Sequence, residues 1–394
     1  MNSWYSEFNK KQKPYAGFSG MGGGAMGLAN KMAVGHPFEQ MSNYPGATKL
    51  SDDIIYYHNA GQYIFPADGS SFRFTVVGGG GGSDGDGSGW YGVSGGGGGG
   101  AARAVIAASQ TLYIGVGQGG EGLQSPNQDS TYYVDSIQGG QIKNATYQRS
   151  RGRGGHSYVK IGSHSAPFLN TLMAGTGGMQ GMYGYHATAY PNINPYGGYT
   201  YPHPQGFFSN STVSHTVNMW DNHGFGWTNP HSSLSSPYTE PGGVGGCAAH
   251  KSGNPWNNSG TNPTGQALHP RDSAVLYGNY PDGTYRGTSG APSAVKGNGW
   301  GGAGGGGGGD QADQYQSNYA SGATGGLSPA LSTLLSGSGL TFGGGSGSNV
   351  GSGQQASAGG VGSGAGGNAR YQNSDTWTEN LSGGDGIVVV EYLG

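Results

Sequence analysis

Residues 63–82 read YIFPADGSSFRFTVVGGGGG, and this stretch decides the fold. Tyr63, Ile64 and Phe65, then Phe72, Phe74, Val76 and Val77, are strand-type residues, divided by the turn-type run 66–70. The second strand runs directly into five glycines. Upstream, Ile54, Ile55, Tyr56 and Tyr57 form another such run, closed by the turn at 59–61, so that residues 54–77 predict a short β-meander. Downstream the pattern resumes at Val105 and Ile106, at Leu112, Tyr113 and Ile114 after the polar turn 109–111, and at 158–161. The chain ends on GGDGIVVVEYLG, an apolar strand preceded by glycines. Folded residues that begin and end in strands predict one small sheet closed by the C-terminal strand.

Helix signals are nearly absent. The best is LSPALSTLLSG at 327–337, where Pro329 suits the first turn, Ser328 suits the cap and Gly337 suits the end, with Leu331, Leu334 and Leu335 on one side.

Glycine supplies 88 of the 394 residues and proline 19, a proportion usually associated with low complexity. Yet the chain also carries 26 Tyr, 11 Phe and 7 Trp, large apolar groups that a solvated coil lacks. The glycines are concentrated in runs at 78–82, 95–100, 152–155, 175–178, 242–246 and 301–309, with a broken series from 343 to 367. The segments between them are unequal and unrelated, so they are not tandem repeats.

Ordering a glycine costs about 0.5–1 kcal/mol more than ordering an alanine, so something must offset the cost of these runs. An extended helix with three residues per turn makes no internal hydrogen bonds and turns every N–H and C=O outward. Several lying side by side can saturate one another, and only glycine lets their backbones approach on all faces. The sequence therefore predicts an all-β protein with a polyglycine-II-type helix lattice, long irregular loops and almost no α-helix. Residues 1–52 form an N-terminal attachment segment, and 53–394 a glycine-rich domain with long inserts at 179–241, 247–300 and 310–342.

Only 9% of residues are charged and the formal net charge is -3. The basic clusters Lys10, Lys11, Lys13 and Arg149, Arg151, Arg153 form no basic face; they read as solvation of a terminus and a loop, which excludes nucleic acid as a partner. The single cysteine, Cys247, rules out an intrachain disulfide framework and a cysteine-based zinc site. The N-terminus lacks the apolar core of a secretory signal and no run has the length of a membrane span, predicting a chain made in the cytoplasm without membrane insertion.

Motifs that match enzyme patterns fail on context. GVGQGG at 115–120 fits a dinucleotide fingerprint, but no helix pattern follows it to face a pyrophosphate. GVSGG around Ser94 has no apolar strand before it. DGDGSG places Asp84 and Asp86 like the first half of a calcium loop, but Gly95 stands where the bidentate glutamate belongs, leaving these two as weak metal candidates only. Asn144, Asn210, Asn257 and Asn380 head formal glycosylation triplets, coincidental without a secretory signal. No catalytic residue and no cofactor is predicted.

The long inserts are rich in Tyr, Trp, His, Asn, Pro and Gly, the composition of binding loops, in which aromatics give contact area at low entropic cost. Tyr183, Tyr185, Tyr190, Tyr196, Tyr199, Tyr201, Trp220, Trp227, Trp256, Tyr315 and Tyr319 are the receptor-binding candidates.

The blocks YIFPADGSSFRFTVVGGGGG, GGGGGGAARAVIAASQTLYIGVGQGG and GGDGIVVVEYL resemble the glycine-rich domain of virion structural proteins and tail fibres of tailed bacteriophages. The chain is also similar to the distal adhesins of tail fibres, in which polyglycine-type helices form a sandwich and connecting loops recognise the host. It departs from a compact adhesin in its long N-terminal zone and long inserts. The resemblance implies a non-enzymatic virion protein at the tail, an adhesin for host attachment. Its partners would be other tail proteins through the N-terminal segment and a host cell-surface protein or glycan through the loops. A purely architectural virion component and a polysaccharide depolymerase are the alternatives.

Overall fold

The computed structural model describes residues 36–83, 95–122, 147–149, 152–167, 170–178, 224, 226–229, 231–243, 245, 298–306, 324–347, 356–366 and 381–394. Two antiparallel sheets make up the fold. The first has the order β1-β2-β11-β4-β5-β10, with β1 Thr48–Lys49, β2 Ile54–Tyr57, β11 Ile387–Tyr392, β4 Ser71–Val77, β5 Ala101–Ala107 and β10 Leu234–Glu240. The second has the order β3-β6-β7-β8-β9, with β3 Gly61–Phe65, β6 Leu112–Val116, β7 Ser157–Ile161, β8 Thr171–Gly175 and β9 Gly226–Thr228. The expectation of one small sheet is thus corrected to two, because the meander splits: β3 leaves β2 and β4 to pair with β6.

Side-chain alternation explains why the sheets stack. Along β4, Phe72, Phe74 and Val76 point into the space between the sheets, where they meet Phe65, Leu112, Ile114, Val116, Val159 and Met173. Phe65 stands edge-on to Phe72 and Phe74 at 5.0 and 5.4 Å between ring centres. The C-terminal strand β11 sits between β2 and β4. It is buried on both faces, Val388 and Val390 in the inter-sheet core and Ile387 and Val389 in a second cluster. That accounts for its unbroken apolar run.

The second cluster lies on the outer face of the first sheet. There Leu331 and Leu335, from and just after helix α1 (Pro329–Leu334), pack with Tyr56, Val77, Ala101 and Phe342. Ser328 occupies the N-cap position but makes no side-chain cap bond, contrary to expectation. The Gly299 carbonyl instead accepts from Ala330 and Leu331 N–H, at 3.1 and 3.2 Å.

Strands β9 and β10 fall inside the segment 179–241 expected to be one irregular insert, so residues 226–228 and 234–240 belong to the scaffold. Their sequence hid this: β10 is LSSPYTE, with Pro237 inside it and a register break between Ser235 and Tyr238. Such a residue is tolerated because β10 is an edge strand, where a bulge also blunts the exposed edge. Likewise 324–342, within the expected insert 310–342, holds α1 and ordered backbone.

Every strand except β1 meets a glycine-bearing segment or the 58–60 turn at one common end of the sandwich, since β4, β6, β8 and β10 finish there and β5, β7, β9 and β11 start there.

Candidate functional site

Beyond that common end, the glycine segments bond to one another with a repeat of three. Gly78 and Gly81 donate to Gly100 and Gly97 of one neighbour, at 3.0 and 2.8 Å. Gly79 and Gly82 donate to Gly155 and Gly152 of a second, at 3.0 and 2.8 Å. Gly80 and Ser83 donate to Gly384 and Leu381 of a third, at 2.8 and 3.0 Å. The next segment keeps the same spacing, with Gly96 and Gly99 donating to Ala365 and Gly362 at 2.8 and 2.7 Å. Side chains are shut out by backbone: a Cβ on Gly80 would stand 1.9 Å from the Ser363 carbonyl oxygen, and one on Gly177 would stand 1.8 Å from that of Gly154.

A few polar side chains finish what backbone leaves open. Ser157 Oγ accepts from Gly117 N–H at 2.9 Å, and Asp385 Oδ1 from Gly119 N–H at 2.7 Å. With Gln118 N–H bonded to the Tyr147 carbonyl at 2.8 Å and Gly120 N–H to that of Gly80 at 2.8 Å, the fingerprint-like GVGQGG spends its donors inside the protein. His156, buried, accepts at Nδ1 from Gly177 N–H at 3.1 Å. Burial, and then the neighbouring Arg153, push its pKa down to about 3. Arg153 is itself buried, which corrects its reading as a loop-solvating residue; Arg149 is exposed, 3.4 Å from Glu121, and Arg151 lies outside the described residues.

The long segments that the sequence singles out join this glycine-bearing region. Their bases are closed by hydrogen bonds between residues on either side. Residues 176 and 224 are linked through the intervening segment: Gly100 N–H donates to the Thr176 carbonyl at 2.9 Å and Gly224 N–H to that of Gly98 at 2.7 Å. Gly243 N–H donates to Gly302 at 2.7 Å, and Gly326 N–H to Gly304 at 2.8 Å. Ser357 N–H donates to Ser346 at 2.9 Å. The base at 243 and 298 is also clamped by Glu240. Its carboxylate accepts from Asn298 N–H at 2.5 Å, Gly301 N–H at 2.6 Å, Trp300 N–H and the Tyr238 hydroxyl, the last at 2.9 Å. Burial raises the Glu240 pKa, opposed by these donors. Trp300 in turn lies under the Arg103 guanidinium, 4.0 Å from the ring centre.

Of the candidate binding residues, Tyr183, Tyr185, Tyr190, Tyr196, Tyr199, Tyr201, Trp220, Trp256, Tyr315 and Tyr319 lie outside the described residues, as do Asp84 and Asp86. Trp227 is described, and it is corrected: the ring sits in β9 with 3% of its surface exposed, a scaffold residue rather than a contact for a partner. Among the described residues no group of three His, Cys, Asp or Glu side chains is arranged to hold a metal ion, and no helix is long and apolar enough to cross a membrane. Nothing in the sequence distinguishes Glu240, Asp385 or His156 beyond a polar residue abutting a glycine segment.

No known protein family matches the chain, and no curated protein is significantly similar to it.

Proposed function

We propose that this chain is a non-enzymatic virion protein of a tailed bacteriophage, a tail-associated adhesin that binds a host surface receptor through aromatic loops on a lattice of polyglycine-II-type helices. The observation that carries the reading is the repeat of three in the glycine segments. In a helix of three residues per turn, successive N–H groups point about 120° apart, so residues i and i+3 reach the same neighbour. Residues 78–83 distribute their donors over three neighbours in that way.

Such a lattice is stiff, and its segments end where the aromatic, polar inserts begin, the usual relation between a scaffold and its recognition loops. No catalytic constellation is part of this reading.

The test replaces residues 179–223 with the corresponding segment of a related phage and measures adsorption to a panel of hosts. Altered host range supports the adhesin. Unchanged host range, together with failure of antibodies against this segment to label intact virions, would place the protein among architectural components instead.

A further inference from the structure

Asparagine is followed by glycine at a single place in the chain, Asn298 and Gly299. Glycine is imposed there: Gly299 has φ +87°, and a Cβ on it would stand 2.6 Å from Cγ of Pro329 in α1. The groups on either side are held. Asn298 N–H and Trp300 N–H both donate to the Glu240 carboxylate, and the Gly299 carbonyl accepts from Ala330 and Leu331. The peptide unit between them is not held. Among the described residues the Asn298 carbonyl accepts no hydrogen bond, Gly299 N–H donates none, and the exposed Asn298 side chain makes none.

That freedom decides what the pair can do. Glycine lacks the Cβ that screens the following nitrogen in other residues, so rotation of this one peptide unit brings Gly299 N against the side-chain carbon Cγ of Asn298. The described Asp–Gly pairs show the contrast. At Asp68 the next N–H, of Gly69, donates to the Ala108 carbonyl at 2.9 Å, and the carboxylate accepts from Ser70 N–H at 2.8 Å. At Asp385 the next N–H, of Gly386, donates to the Gly117 carbonyl at 2.7 Å, and the carboxylate accepts from Gly119 N–H at 2.7 Å. Of the other described asparagines, Asn43, Asn59 and Asn170 precede residues with a Cβ, and Asn229 precedes a proline, whose nitrogen carries no hydrogen.

We propose that Asn298 is a site of spontaneous covalent modification that loosens the Glu240 clamp as the protein ages. Gly299 N gives its proton to a solvent base and attacks Asn298 Cγ; the N–Cγ bond forms, the Cγ–Nδ2 bond breaks, and ammonia leaves with a proton taken from water. A second water then opens the succinimide at either carbonyl, leaving aspartate or isoaspartate at position 298, with nothing oxidised or reduced. Either product puts a negative charge on a residue whose own N–H lies 2.5 Å from the Glu240 carboxylate, where like charges repel. Isoaspartate also lengthens the main chain by a carbon, drawing the Trp300 and Gly301 donors away from that carboxylate. The proposal goes beyond the adhesin reading and does not depend on it.

The test incubates the full chain at mildly alkaline pH and maps its peptides by mass spectrometry, with isoaspartate scored by enzymatic methyl transfer. Position 298 should convert at least about tenfold faster than Asn43, Asn59, Asn170 or Asn229, and should give isoaspartate as well as aspartate. Asp68 and Asp385 should isomerise only when the chain is unfolded in urea. The modified fraction, separated by charge, should show faster amide exchange at Trp300 and Gly301 than fresh protein. Asn298→Gln keeps the backbone donors and disfavours ring closure, so exchange in this variant should not change during the same incubation. Conversion at 298 no faster than at the other asparagines, conversion at 298 only in urea, aspartate without isoaspartate, or unaltered exchange in the modified fraction overturns the proposal.

Discussion

The Nδ1 atom of His156 accepts the backbone N–H of Gly177 at 3.1 Å, tying the segment before β7 to the segment after β8. This bond exists only while the imidazole is neutral at Nδ1. Unfolded, the ring takes a proton near its ordinary pKa of about 6.5; folded, it resists until about 3. Below 6.5 the unfolded state therefore binds more protons, and stability falls with falling pH across that window. The total is on the order of 4 kcal/mol by pH 3. Urea unfolding at pH 7, 5.5 and 4 measures it, and His156→Gln should flatten the slope while lowering stability at pH 7.

Glycine substitutions should divide sharply by position. Gly80→Ala and Gly177→Ala place a methyl against backbone carbonyl oxygens that cannot swing away, and each should cost several kcal/mol. Gly343→Ala is the internal comparison, since its nearest neighbour would be the Gly326 carbonyl oxygen at 3.5 Å. Its melting temperature should stay within a few degrees of the parent. Equal losses at all three would remove close backbone packing as the reason for glycine.

Glu240→Gln keeps one acceptor oxygen but turns an NH2 group toward backbone donors. A loss of about 2–3 kcal/mol is expected, with faster amide exchange at Asn298, Trp300 and Gly301. Exchange unchanged at these amides would mean the carboxylate is not what closes this base.

Tyr57 makes the opposite case. Its ring is fully buried in the inter-sheet core and its hydroxyl has no hydrogen-bond partner among the described residues. Tyr57→Phe removes an unsatisfied polar atom without changing packing, so thermal unfolding should show equal or higher stability, by up to about 1 kcal/mol.

Much of the β-structure was legible in the sequence because alternation and turns announced it. Phe72, Phe74 and Val76 alternate with Arg73 and Thr75 in β4, and the run 387–390 has the apolar continuity of a strand covered on both faces. Strands β9 and β10 were hidden because edge position, rather than propensity, makes Pro237 acceptable there. The division into two sheets was hidden because partner choice is non-local: β3 lies next to β4 in sequence yet pairs with β6. Trp227 was misassigned for a related reason. A tryptophan among Gly, Asn and Pro has loop-like neighbours, and only its pairing with Ala174 in β8 shows the strand that buries it. The glycine runs were legible as something needing backbone partners, but which run answers which could not be read from residues all alike.

The repeat of three among the glycine donors also governs how this gene can drift. Adding or deleting one codon within 78–83 hands every later N–H to the wrong neighbour, so lineages should gain or lose such residues in triplets. No such phase applies to segments whose departure and return points are already stitched together, and there length is free to wander.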